Sequence, residues 1–161
     1  MRIHFHALAF ALMIGSPAYA GGFTILPNPE LTPGAIDPDA TASVICVRGY
    51  TSGQNSKGNL VRDVPASVKT AIFKRYGIDP KSDKFEIDHL ISLELGGSND
   101  PNNLWPQSYT TTPFNAHVKD ALEDRLHALV CSGKVDLREA QSAIARDWIA
   151  AYKKFVPGAS K

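Results

Sequence analysis

Three features of the sequence predict an α+β fold stapled by a disulfide. From Phe85 to Leu95 the apolar residues Phe85, Ile87, Ile91, Leu93 and Leu95 share one parity. Glu86, Asp88, Ser92 and Glu94 share the other, the period of half-buried strands. Downstream, two long segments repeat apolar residues every three or four positions, the period of helices buried on one face. Two cysteines, Cys46 and Cys131, stand far apart in a chain that begins like an exported one.

In order along the chain, Arg2, the apolar run Leu8–Ile14 and the small residues Ala18-Tyr19-Ala20 read as a secretory signal peptide, residues 1–20, cut after Ala20. The apolar run is far short of the roughly 20 residues that span a bilayer. Residues 21–161 then form a single domain. Its first part, about 21–42, carries Pro27, Pro29, Pro33, Gly34 and Pro38 and reads as an extended arm. Ser43–Tyr50 reads as a short strand bearing Cys46, followed by a polar loop to Asn59. Pro65–Tyr76 reads as a helix. Pro65 suits its first turn, Val68, Ile72 and Phe73 form its stripe, and Gly77 ends it. Lys69, Lys74 and Arg75 give it a basic side, read foremost as a solvated face.

After the central stretch, Gly96-Gly97 breaks the alternation and Ser98-Asn99-Asp100-Pro101 is turn chemistry. Pro113–Cys131 is a helix with the stripe Phe114, Val118, Leu122, Leu126 and Leu129. Asp136–Phe155 reads as a second helix. Asp136 and Glu139 form a capping-box pattern, and Leu137, Ile144, Trp148, Tyr152 and Phe155 form the stripe. The short link between them implies an antiparallel pair. Cys131, at the end of the first of these helices, is placed to bond Cys46.

The charge balance narrows the function. Of 17 basic residues Arg2 leaves with the signal, so the remainder match the 16 acidic ones. A chain that coats nucleic acid without specificity is usually strongly basic, so any phosphate contact belongs to a local patch. No Cys-x-x-Cys pair exists, which argues against a cysteine-bound metal.

The chemistry centres on Asp88-His89. A carboxylate beside an imidazole suits a hard cation next to a general base. In an unbroken strand the two side chains point to opposite faces, so acting on one atom requires a strand end or a bulge. Of the other histidines beyond the signal, His117 and His127 are about 15 Å apart along one helix and about 80° apart around it, so they share no metal. His127 lies opposite the apolar stripe and reads as a surface residue. His117 lies at the edge of the stripe.

The run Asp88-His89, Leu93, Gly96-Gly97, Asp100-Pro101 and Asn103-Leu104 resembles the HNH nuclease motif, or ββα-metal site. In that motif an Asp-His pair ends a strand, a Gly-Gly turn follows, and an Asn-Leu opens a helix about fourteen residues after the His. With Ile45–Tyr50, Trp105-Pro106, Asn115–Asp120 and Asp147–Tyr152, the chain resembles small secreted bacterial HNH proteins over most of its length. Ser92 stands where many members have Pro. The third motif residue, usually a His, would fall on Thr112, so the nearest candidate is His117.

The resemblance implies a ββα-metal fold with additional helices around it. It implies an exported, periplasmic or secreted endonuclease that hydrolyses phosphodiester bonds of DNA, or RNA. His89 would activate water, and Asp88 and His117 would hold one divalent cation. Mg²⁺ suits the carboxylate, and Mn²⁺, Ni²⁺ or Zn²⁺ the imidazole. Asn103 would hold the loop bearing His89 or sit near the metal, and Lys119, on the same helix as His117, would contact a phosphate or lie on the surface. The alternatives are an HNH-like module that binds nucleic acid or another ligand without cutting, and a disulfide-stapled structural protein in which Asp88 and His89 form a buried pair.

Overall fold

The computed structural model describes residues 25–159; the signal-like segment and the first residues of the arm lie outside them. The chain runs α1 (Ala42–Ile45), α2 (Ala66–Arg75), β1 (Phe85–His89), β2 (Leu104–Ser108), α3 (Ala116–Cys131), α4 (Leu137–Arg146) and α5 (Trp148–Phe155), with short 3₁₀ turns at Tyr50–Ser52, Leu93–Leu95 and Pro101–Asn103. This is an α+β architecture, and Cys46 and Cys131 are bonded.

β1 and β2 form an antiparallel pair, with Phe85 opposite Ser108, Asp88 opposite Trp105 and His89 opposite Leu104. The strand period holds only to His89. Beyond it the chain turns, because Ser92 accepts a hydrogen bond from Glu94 N and starts the 3₁₀ turn Leu93–Leu95. Gly96 follows at φ +74°, a left-handed conformation that side-chain-bearing residues resist. Gly97 is required for a different reason: a Cβ there would lie 1.8 Å from the Ile91 carbonyl oxygen. The Asn-Leu pair does not open a helix. Asn103 closes the 3₁₀ turn Pro101–Asn103, and Leu104 begins β2.

α2 packs against both strands, burying Ile72 and Phe73. α3 packs on α5, α4 and the Leu93–Leu95 turn. Its cap is Asn115, whose side chain accepts from Val118 N, so the helix starts three residues beyond Pro113. Leu122 and Leu126 are fully buried, in one core with Ile45, Leu93, Leu95, Val130, Ile144 and Trp148. At about 1.5–3 kcal/mol for each large apolar side chain removed from water, this core is the main force joining α1 and the three C-terminal helices to the turn after β1.

Two further expected elements change. Ser43–Tyr50 is not a strand; it is the single-turn helix α1 followed by a 3₁₀ turn. The segment Asp136–Phe155 is two helices, broken at Asp147. That residue takes extended backbone angles, and its carboxylate caps α5 by accepting from Ile149 N and Ala150 N. The arm lacks regular helix or strand but is tied down from Ile25 onward. Thr32 is buried, its Oγ1 2.7 Å from the Tyr76 hydroxyl, and it donates to the Leu104 carbonyl at 2.9 Å. Trp148 Nε1 donates to the Ile25 carbonyl at 2.9 Å.

Candidate functional site around Asp88 and His89

His89 is the last residue of β1, the strand end that the Asp-His pair needs. The two side chains nevertheless meet different surroundings. His89 is buried, and its Nε2 lies 2.9 Å from Asn99 Oδ1. Asn99 Nδ2 donates to the Val61 carbonyl at 3.0 Å, which turns the amide oxygen towards the imidazole. Nε2 therefore carries the hydrogen and Nδ1 keeps its lone pair. Among the described residues Nδ1 has no hydrogen-bond partner. Burial lowers the His89 pKa from its ordinary value. The bond to Asn99 and the charge of Asp88 work against this, and the positive charges of Arg62 and Lys119 add to it. His89 is thus a neutral imidazole at neutral pH, as a general base must be.

Asn103 holds the loop that leaves His89. Its Nδ2 donates to the Ile91 carbonyl at 2.9 Å and the Ser98 carbonyl at 3.0 Å. Its Oδ1 accepts from Ile91 N at 2.9 Å and Ala35 N at 3.3 Å. Its backbone carbonyl accepts from Leu90 N at 2.7 Å. All four bonding positions of the amide are used and the side chain is fully buried. The Asn103 amide thus ties together the turn after β1, with no bonding position left over.

Asp88 faces α3. Its Oδ2 lies 2.7 Å from Lys119 Nζ, which also donates to the His89 carbonyl at 2.7 Å and to Glu123. Lys119 is wholly buried, so the expected phosphate contact from this residue is corrected: its ammonium is spent inside the protein. Burial opposes its charge, but Asp88 and Glu123 more than offset this and hold its pKa above the ordinary value. Burial pushes the Glu123 carboxyl up. Lys119 beside it acts the other way, and Asp88 reinforces the rise.

His117, expected to share a cation with Asp88, has its own contacts at the start of α3. His117 lies in the exposed first turn, its Nδ1 3.8 Å from Asp120 Oδ2 and its ring 5.7 Å from that of Tyr109. The Tyr109 hydroxyl donates to Glu86 at 3.0 Å. Among the described residues the only His, Cys, Asp or Glu trio with ligand atoms within 4.8 Å of one another is Cys46, His127 and Cys131. Both of its sulfurs are in the disulfide and offer no thiolate. Among the described residues no such trio includes Asp88 or His117, and Asp88 Oδ2 is engaged by Lys119, so these side chains form no ready-made set of ligands for the divalent cation implied for them. His127 is also corrected: it is half-buried, its Nε2 3.2 Å from the Ile45 carbonyl and 3.3 Å from Cys131 Sγ.

Sequence reading passed over Asn99, Arg62 and Glu123. Asn99 lay in a segment read only as a turn. Glu123 had a legible signal, since it lies one helical turn beyond Lys119 and the two face the same side. A cleft of about 420 Å³ is lined among others by Tyr50, Asn55, Asn59, Val61, Ser98 and Asn99. No family model, curated protein or solved structure matches the chain. Among the described residues no helix is long and apolar enough to cross a membrane.

Proposed function

We propose that this chain is an exported HNH-type endonuclease that hydrolyses phosphodiester bonds of DNA or RNA, with His89 as general base. The observation that carries the reading is the state of His89. It is neutral, fixed at a strand end by Asn99, and has an uncommitted Nδ1 lone pair. In the step proposed, Nδ1 takes a proton from water, the water oxygen bonds to phosphorus, the bond from phosphorus to the 3′-oxygen breaks with its electron pair on that oxygen, and the 3′-oxygen takes a proton from solvent. Arg62, exposed and close enough to act on His89 electrostatically, supplies the nearby positive charge for a phosphate. No step is assigned to a metal on Asp88 and His117. The order strand, strand, helix supports the ββα reading, while the close packing of α2 rather than α3 on the strands sets the chain apart from a helix laid across a hairpin.

One observation favours a second reading, a module that binds nucleic acid without cutting it: Asp88 is already engaged by Lys119. Plasmid and RNA cleavage by the oxidised mature protein separates the two. The assay is run in chelator and with Mg²⁺, Mn²⁺, Ni²⁺ or Zn²⁺. Cleavage that falls by about 10²–10⁴-fold in His89→Ala supports the first reading. Retention of nucleic acid with no cleavage under any condition supports the second.

A further inference from the structure

Three oxygens from two elements converge on a single nitrogen. Asp88 Oδ2 and the His89 carbonyl oxygen come from the end of β1, each 2.7 Å from Lys119 Nζ. Glu123 Oε1 comes from α3, one turn beyond the lysine itself. An ammonium has three N–H donors and no acceptor, and each donor here meets one oxygen. The Lys119 side chain is 0% exposed, against 18% for Asp88 and 16% for Glu123, so the charge lies deepest and the carboxylates lead outward from it. Lysine is almost never buried to this degree unless it is paired.

Two carboxylates and a backbone carbonyl are also the donor set a hard divalent cation selects. We propose that the Lys119 ammonium is the resident cation of this oxygen cluster, standing where Asp88 would otherwise hold a divalent metal ion and joining α3 to the end of β1 without one. The assignment is independent of whether the neighbouring His89 cleaves a phosphodiester, because it concerns what neutralises Asp88. On α3 the residue that meets Asp88 Oδ2 is Lys119.

The consequence is a hidden site: remove the ammonium, and the oxygens face a space that a divalent ion can enter. The test is titration of the wild-type protein and of Lys119→Ala and Lys119→His with Mn²⁺, followed by paramagnetic broadening of backbone amide signals and by thermal unfolding. In the wild type the amides of Asp88, His89 and Glu123 should show no selective broadening, and Tm should not rise. The variants should unfold earlier than wild type in chelator, then gain both the broadening and a rise in Tm with Mn²⁺. Selective broadening of those three amides in the wild type would overturn the proposal, and this arm needs no variant to fold. A folded variant that ignores Mn²⁺ would overturn it too.

Discussion

The imidazole of His89 and the side-chain amide of Asn99 are locked together across ten residues of chain, with Nε2 and Oδ1 2.9 Å apart. The Asn99 amide cannot flip without exchanging its donor to the Val61 carbonyl for an acceptor. One hydrogen bond thus fixes the tautomer and a second fixes the first. Nitrogen-detected NMR of the His89 ring should show a neutral imidazole protonated at Nε2. In Asn99→Ala both tautomers should appear. A wild-type ring protonated at Nδ1 would remove His89 as a base facing outward from this bond.

Acid should unfold the protein partly through His89. Its pKa lies below the ordinary 6.5, chiefly because the ring is buried. As pH falls through about 6.5 the unfolded chain takes up a proton that the folded chain refuses, so unfolding gains. The stability held by the neutral ring is present above that pH and lost below it. Glu86 and Asp120, both raised from their ordinary values chiefly by burial, act with the opposite sign: their contribution is present at low pH and fades as pH rises. The comparison therefore needs His89→Gln beside the wild type. Urea unfolding at pH 7.5 and 5.5 should show a larger loss in the wild type, and equal losses in both proteins would refute the assignment.

Much of the scaffold is legible in the sequence because local chemistry and packing agree there. Pro65 and Gly77 bracket α2, and the Leu122–Leu126 stripe fixes the buried face of α3. The second strand is not legible, because Leu-Trp-Pro-Gln-Ser is short, contains proline and forms only against β1. The break at Asp147 lacks glycine and proline. It rests on a carboxylate that caps α5 rather than continuing α4. In the site, the loop-holding role of Asn103 is one of the two that the resemblance implies, whereas the burial of Lys119 is a tertiary outcome. A lysine on an amphipathic helix ordinarily reads as solvated. The signal against that reading is its position three before Leu122 and seven before Leu126, inside the buried stripe.

The disulfide should be a large share of the stability. It joins residues separated by 85 positions and ties α1 to the end of α3. Chain-entropy reasoning assigns a loop of this size roughly 4–5 kcal/mol, a large part of the stability of a small domain. The urea midpoint of the Cys46→Ala/Cys131→Ala protein should drop sharply at nearly unchanged slope. A midpoint within error of the oxidised wild type would mean that core packing alone secures α1.

Asn103 should be the most sensitive polar residue in the site. Replacing it with Ala strips partners from the Ile91 N–H and carbonyl and from the Ser98 carbonyl, groups inside a turn where Gly97 already sits against the Ile91 backbone. Each buried group left unpaired costs about 1–3 kcal/mol, and the crowded turn has little room for water to replace the amide. Asn103→Asp separates geometry from chemistry. It keeps the acceptor for Ile91 N but sets a carboxylate oxygen against two carbonyls, so it should also destabilise despite its near-identical shape. Urea unfolding of both variants checks the stability, and the His89 ring signals report whether the loop has moved. An Asn103→Ala protein as stable as wild type, with the His89 tautomer unchanged, would show that the turn stands without its amide and that Asn103 positions nothing.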